Sequence, residues 1–500
     1  MKGNKLDLGE NSPLIEPNED IPVPYESEKK PLEDDAGNNL MLPPNQVITR
    51  RHFLVWPVAF LFVTAYYFTF TAFGQYVYIK LQNENFPGIR VNKTTAYCEV
   101  NTSSINFKIQ EDVQQKAATW GIYFYLSGGL TSIIANFIMG AYTDRFGRKF
   151  LFILPCIGTI VRTSLAMVGI YYDLPLPYYI AGYFIEGCTG QIFNIFQITY
   201  IYAADITENG KSRSVGIIIV ELAIGIGIVA PTLAVGFILE ETNSFLVPFY
   251  ISLGILVFTL FLMFLLPETY PKAIRSQRQY TSKFENLKDA VDLYFSKKNS
   301  GRRWMYIVSI LVFSFTVYNA LGRTAMEGLF LLNYPLCWNP TKIGVFGSMR
   351  VAFQQIVGMA CVKLFHLCMN DEMIIIIGCI SYAASFVLEA YATNDLMMYL
   401  VAIIGTFGLL TIPMIRSILS QMTSPQKQGA VFASISAVET AVNCIGALSA
   451  NSVYIATVKI QRGFTFLIFA GFSVISMVLM IIFMIGTRGS KSRIYNGKDP

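Results

Sequence analysis

Charge is scarce in this sequence. Only 14% of its 500 residues are Asp, Glu, Lys or Arg, against 53% hydrophobic residues, whereas soluble domains carry about 25% charged residues. So little charge cannot clothe a water-facing surface of this size, which excludes a large soluble enzyme or scaffold. Histidine is scarcer still, with His52 and His366 alone. A membrane-embedded metalloenzyme would want His, Asp or Cys ligands clustered inside its spans, and the eight cysteines lack metal-ligand spacing. A phosphate-cradling glycine loop and a pore-loop filter are missing too, so ATP-driven pumping and channel conduction have no support. No enzymatic activity, metal, cofactor or nucleic acid is expected.

What the sequence has instead is long apolar runs. Twelve reach roughly 18 residues or more, enough to cross a ~30 Å hydrocarbon core as helix. They fall near 55–79, 119–140, 150–172, 178–203, 215–239, 246–267, 304–332, 342–365, 372–393, 396–420, 428–456 and 464–486. The expected fold is an all-α polytopic membrane protein of twelve transmembrane helices in the lipid bilayer. Residues 1–50 are polar, acidic and rich in Pro and Asn, and read as a disordered cytoplasmic tail with no cleaved signal peptide. Within it, Glu10 precedes Leu14-Ile15 at the spacing of an acidic dileucine signal, an address for a sorting adaptor. Positive charge sets the orientation. The 140–149 turn holds three basic residues, and the 268–303 loop holds nine, from Lys272 to Arg303. Both are expected in the cytoplasm, with both termini. The loop near 80–116 is then outside, with glycosylation acceptors Asn92 in "NKT" and Asn101 in "NTS".

The long loop divides the chain into a first half, 51–267, a linker, 268–303, a second half, 304–486, and a tail, 487–500. In "FENLKDAVDLYF" the apolar residues Phe284, Leu287, Val291, Tyr294 and Phe295 fall at helical spacing, which predicts an amphipathic surface helix. A weak echo links the halves. After the fourth and after the tenth span, a polar turn with basic residues leads into a helix with a lone glutamate, Glu221 or Glu439. Two related six-helix halves point to a rocking transporter.

The turn "GAYTDRFGRK" contains Gly140, Asp144, Arg145, Gly147, Arg148 and Lys149. It resembles the G-x-x-x-D-R-x-G-R-K signature of the major facilitator superfamily, as "LPETYPK" resembles that superfamily's Pro-Glu-Thr ending of the sixth span. Asp144 can cap a helix start and accept from an arginine, forming a charge-assisted latch that gates the two halves; the alternative is a topogenic turn without a gate. "YPLCWNPTKIG", "AADITENGKSRS", "ELAIG" and "GAVFAS" are similar to solute carrier family 46, the family of the proton-coupled folate transporters. The resemblance runs from about residue 50 to 486. It implies the major facilitator fold and proton-coupled symport of an organic anion (folate-like, a muropeptide or a cyclic dinucleotide) by alternating access.

The family bridges its first and fourth outer loops, which implies a disulfide between Cys98 and Cys337; two free outer thiols are the alternative. Intramembrane ionisable residues are functional suspects. Glu221 lies about six residues into the fifth span, roughly 9 Å deep at 1.5 Å per residue, and matches the family's proton-coupling glutamate. It can otherwise be a helix-end carboxylate paired with a basic neighbour. Arg416 matches an arginine of the family's tenth span that affects proton and substrate affinity, or else snorkels to the surface. Glu186, Tyr183 and Gln191 complete the substrate set. Glu186, Arg162, Arg350, Glu389 and Glu439 are further buried-charge candidates, and Arg323 and Glu327, four apart, can neutralise each other. Departures from the folate pattern fall at Ala320, where a histidine is expected, at Gln191 for an acid and at Tyr183 for an arginine. A membrane sensor or adaptor on a transporter fold is the second reading. The plasma membrane and the endolysosomal membrane are both open.

Overall fold

The computed structural model describes residues 49–85, 96–141, 147–207, 211–269, 303–423 and 428–487. Among them the chain is helical without strands. The helices are α1 Val55–Asn85, α2 Ile105–Ala141, α3 Arg148–Tyr171, α4 Pro177–Cys188, α5 Gln191–Asp205, α6 Lys211–Thr242 and α7 Leu246–Leu265 in the first half. In the second half they are α8 Arg303–Leu332, α9 Pro340–Ala352, α10 Gly358–Phe365, α11 Asp371–Ala390, α12 Asp395–Ile404, α13 Thr411–Met422, α14 Gln428–Thr457 and α15 Phe464–Thr487. Three pairs join end to end (α4–α5, α9–α10 and α12–α13), so the described residues form twelve rods, one for each expected span. Asn92, Asp144, Arg145, Glu10, Leu14, Ile15 and the 284–295 helix lie outside the described residues.

Nine of these stretches are apolar and long enough to span a membrane on their own. The others are α2, α4–α5 and α14. In α4–α5 the chain is broken at Gly190 and Gln191, whose φ of 92° and 55° are left-handed, a conformation glycine takes freely and glutamine rarely. The helices α2 and α14 carry polar residues where they pack on each other, while α2 turns Tyr123, Leu126, Leu130, Ile134 and Ile138 outward. The sequence expects the second span from 119, yet α2 begins at Ile105. Its first turns, "INFKIQEDVQQK", escape a hydropathy reading because Val113, Gln110 and Gln114 are buried against the other half.

In the first half α1 packs on α6 and α7, and α4 on α2 and α3; in the second, α15 packs on α8 and α11, and α8 on α14. Two seams join the halves, α2 with α14 and α6 with α9. The apolar core is divided unevenly. One cluster runs through both halves, from Phe68, Tyr76 and Val113 to Leu239, Phe330, Trp338, Tyr382 and Phe466. It lies toward the end where Cys98 and Cys337 meet, called here the disulfide end. Toward the opposite end each half has its own core, around Phe152, Ile198 and Met263 in one and Phe313, Ile418 and Phe483 in the other. Burial is the main cohesive force, so the halves are fused at the disulfide end and separable at the other.

Candidate functional site: buried charges on a two-half seam

At the turn before α3, Gly147 has a φ of 88°, which lets the chain reverse into the helix. The backbone N–H groups of Arg148 and Lys149 then donate to the Glu268 carboxylate at 2.8 and 3.2 Å. A carboxylate on free helix-start amides completes their hydrogen bonds and opposes the helix dipole. Arg148 pairs with Asp205 at 3.2 Å, Thr269 donates to the same carboxylate at 2.8 Å, and Lys149 donates to the Phe264 carbonyl at 2.5 Å. The sequence assigned the acceptor role to Asp144; in the described residues the acceptors are Glu268, from the "LPET" stretch, and Asp205, from "AADIT". These contacts tie α3, α5 and the end of α7 within the first half.

Three clusters hold the charges within the spans. In the first half Arg162 of α3 meets Glu186 of α4 at 2.8 Å and donates to Thr69 at 2.9 Å, while Thr159 donates to Glu186 at 2.8 Å. The guanidinium lies 5.4 and 5.5 Å from the ring centres of Tyr66 and Tyr183. Tyr183 is stacked on Phe124 at 5.1 Å, and Gln191 lies over α2 where Gly128 leaves room, since a Cβ there would sit 2.5 Å from Nε2. In the second half Arg323 bonds Glu327 and Glu389, each at 2.9 Å, and Arg350 bonds Glu327 at 3.0 Å.

The third cluster crosses the seam. From the first half, Tyr200 of α5 donates to Glu221 of α6 at 2.7 Å. From the second, Arg416 of α13 pairs with Glu439 of α14 at 2.7 Å. The Arg416 guanidinium lies 6.0 Å from the Tyr200 ring centre and 5.7 Å from that of Phe313, so Tyr200 stands between it and Glu221 in the chain of contacts. The echo in the sequence thus has a structural counterpart: each glutamate is held by a residue of the preceding rod, a phenol in one half and a guanidinium in the other. The first two clusters balance, one Arg with one Glu and two with two. Among the described residues the third holds one Arg and two Glu, and so an acid in excess.

At the disulfide end the halves are sealed by neutral and ionic contacts. Cys98 and Cys337 are bonded, with Cα atoms 5.6 Å apart, within the usual disulfide range. Gln110 donates to Asn333 at 2.7 Å, Asn333 donates to Gln114, and the Tyr454 hydroxyl donates to Gln114 at 3.0 Å. Arg462 donates to the Tyr334 carbonyl at 3.0 Å and pairs with Glu111 at 3.4 Å, and Lys459 pairs with Asp112 at 2.7 Å. In the loop beside Cys98, the Asn101 N–H and the Tyr97 hydroxyl hold the Glu99 carboxyl below its ordinary range. A depressed carboxyl contributes above its unfolded pKa and loses that contribution as pH falls through the lower folded value. These loop contacts therefore persist in a mildly acidic compartment.

The structure brings together Glu221 with Arg416 through Tyr200, Tyr183 with Glu186 through Arg162, and Cys98 with Cys337. It leaves Glu186 in a different cluster from Arg416. Sequence reading missed Glu268, Gln110, Gln114, Asn333 and Arg462. Of these only Glu268 stood in a recognised motif; amides and phenols carry no signal until their partners are known.

Two six-rod halves that share a core at one end and keep separate cores at the other are built to rock against each other, the geometry of a secondary transporter. The chain belongs to the Major Facilitator Superfamily, whose pattern matches residues 95–447. It is similar to the lysosomal proton-coupled steroid conjugate and bile acid symporter SLC46A3 of Gallus gallus, at 29% identity over 432 residues, 86% of this chain and 93% of the relative. It is also similar to the proton-coupled folate transporter of Bos taurus, at 25% identity over 374 residues, 74% of this chain and 80% of the relative. Among solved structures, a D-xylose-proton symporter shares the fold with a TM-score of 0.62, at 15% identity, over 88% of this chain and 99% of that one. The chain is thus a membrane transporter related to the proton-coupled symporters of solute carrier family 46.

Proposed function

We propose that the chain carries an amphipathic organic anion together with protons, by alternating access, from the outside or lumen into the cytosol. The observation that carries this reading is the seam cluster: the Glu221 carboxylate, held by Tyr200, shares that tyrosine with a guanidinium of the other half, Arg416. Glu221 takes up a proton, Arg416 holds the anionic group of the substrate, and both feel the same rocking motion. Asp144 and Arg145, with the Arg148–Asp205 pair beside them, gate the cytoplasmic end. Tyr183, Gln191 and the Arg162–Glu186 pair would line the path for the substrate's ring body. A steroid conjugate or bile acid is favoured over folate, because Ala320, Gln191 and Tyr183 replace the folate pattern's histidine, acid and arginine. The family 46 relative named lysosomal, with Glu10 and Leu14-Ile15, supports an endolysosomal address read by a sorting adaptor.

The disulfide end faces outward in this reading. Asn101 there is exposed, and its side chain accepts from the Ser103 N–H at 3.1 Å. Asn101→Gln is expected to remove a glycan, visible as a faster-migrating band; an unchanged band after enzymatic deglycosylation of both proteins counts against that orientation.

The reading is tested by uptake of labelled taurocholate and folate at acidic and at neutral pH. A Leu14→Ala/Ile15→Ala form holds the protein at the cell surface. Acid should stimulate taurocholate uptake. Glu221→Gln should lower acid-driven accumulation by about tenfold per pH unit of gradient, one proton's worth, while exchange at equal pH survives. An unchanged gradient dependence in Glu221→Gln would remove Glu221 from coupling.

A further inference from the structure

The seam cluster has one guanidinium and two carboxylates, and the guanidinium is already spoken for. Arg416 bonds Glu439, from its own half, at 2.7 Å. Glu221 is held by a phenol. Resting on the symport reading above, an anion arriving at Arg416 must displace Glu439. If Glu439 stayed ionised, the displaced carboxylate and the anion would share one guanidinium at a site where the Arg416 and Glu439 side chains are only 23% and 22% exposed, and an uncompensated charge mostly withdrawn from water is costly. Protonation of Glu221 alone leaves that conflict in place, with Arg416 facing two anions. Protonation of both glutamates leaves one guanidinium and one substrate anion, a neutral set.

We propose that Glu439 is the second proton site of the transporter, whose protonation frees Arg416 for the substrate, so that one monovalent anion enters with two protons. Loading adds a proton to the Glu439 carboxylate and passes the Arg416 hydrogen bond to the substrate's sulfate, sulfonate or carboxylate. Release on the far side reverses both steps, with Arg416 returning to Glu439. Both protons and the anion act on the same guanidinium, which is how the three stay coupled.

The surroundings leave few other groups to take this proton. Glu439 lies on α14, which packs against α2, α8, α13 and α15. From Leu126 to Ala141, α2 carries no titratable side chain, and neither does any part of α15. On α13 the ionisable residue is Arg416 itself. On α8, Tyr318 accepts from Ser449, further along α14, and Arg323 and Glu327 belong to the balanced cluster. Across the seam stand Tyr200 and Glu221. Asp371 reaches α13 through Ser417 at 2.9 Å and holds His366 at 2.9 Å, on a different face from Arg416.

The test uses the full chain in proteoliposomes, with labelled taurocholate as a probe whose charge stays at minus one and the membrane potential clamped at zero. At equilibrium each coupled proton raises accumulation about tenfold per pH unit. The wild type is expected to accumulate about 100-fold per unit, Glu439→Gln about tenfold, and Glu439→Asp about 100-fold again. Glu221→Gln/Glu439→Gln should exchange substrate with no dependence on the gradient. A Glu439→Gln slope equal to wild type, with a reduced Glu221→Gln slope, would make Glu439 a static counter-ion and overturn this proposal alone. No wild-type uptake of taurocholate at any gradient defeats the anion-symport reading and this proposal with it. Should Glu439→Gln fail to reach the membrane, the wild type still decides. Two protons per anion make uptake electrogenic and stimulated by an inside-negative potential, whereas a potential-independent wild type with a tenfold slope overturns the proposal.

Discussion

Replacing Arg323 with methionine is expected to cost the folded protein about 3–5 kcal/mol, the usual cost of removing one member of a buried ion pair. Arg323 is 1% exposed and is the bonded partner of both Glu327 and Glu389. Methionine fills much of its volume, so the loss is electrostatic. Glu327 keeps Arg350 at 3.0 Å, but Glu389, fully buried, is left without its bonded guanidinium. An ionised carboxylate stranded at that depth is far costlier than an apolar side chain. Arg323→Met/Glu389→Leu should therefore recover most of the lost stability. Thermal unfolding of the purified protein in detergent measures both. A single replacement as stable as wild type, or a double one no better than the single, would contradict the idea that charge balance holds this cluster.

Gly236→Val is expected to reduce transport sharply without preventing folding of either half. A Cβ on Gly236 would lie 2.6 Å from the Pro340 carbonyl oxygen and 3.1 Å from the Thr341 Cα, and one on Gly344 would lie 2.9 Å from the Thr232 carbonyl oxygen and 3.2 Å from the Gly236 Cα. The obstacles are backbone atoms, so no side chain can swing aside; α6 and α9 would have to separate at the seam between halves. Overpacking costs typically about 1–3 kcal/mol, which lowers the closed-to-open ratio at the disulfide end by about 5- to 150-fold. Turnover falls in step, because alternating access needs that closed state. The check is taurocholate uptake by protein shown to reach the membrane, together with thiol labelling of a Gln114→Cys reporter, which is buried in the seal of the wild type. Faster labelling with slower uptake is the expected pair of results. Normal uptake would show that the seam tolerates a wider gap.

The legible parts of the sequence were those with a local signature. Twelve apolar runs predicted twelve rods because a bilayer demands a minimum length of apolar helix, and that demand needs no knowledge of neighbours. "GAYTDRFGRK" and "LPETYPK" named the superfamily, and "YPLCWNPTKIG" the family, because turns with fixed partners tolerate few residue types. The Cys98–Cys337 bond followed from that family likeness, not from the residues alone. Glu221 and Arg416 stood out as ionisable groups in apolar surroundings, where any charge is costly.

Pairing was illegible. That Glu439 rather than Glu221 holds Arg416, that Tyr200 holds Glu221, and that Glu268 caps α3 all depend on which rods lie side by side and at what rotation. The same is true of Gln110, Gln114 and Asn333, polar residues in a stretch that hydropathy assigned to a loop. By itself the sequence determined that this chain lives in a membrane as two related helical halves, because water and lipid act on every residue independently of its partners. Only the tertiary structure decided where the surplus acid sits and which end of the bundle is sealed, because hydrogen bonds and ion pairs act over about 3 Å and join residues hundreds of positions apart.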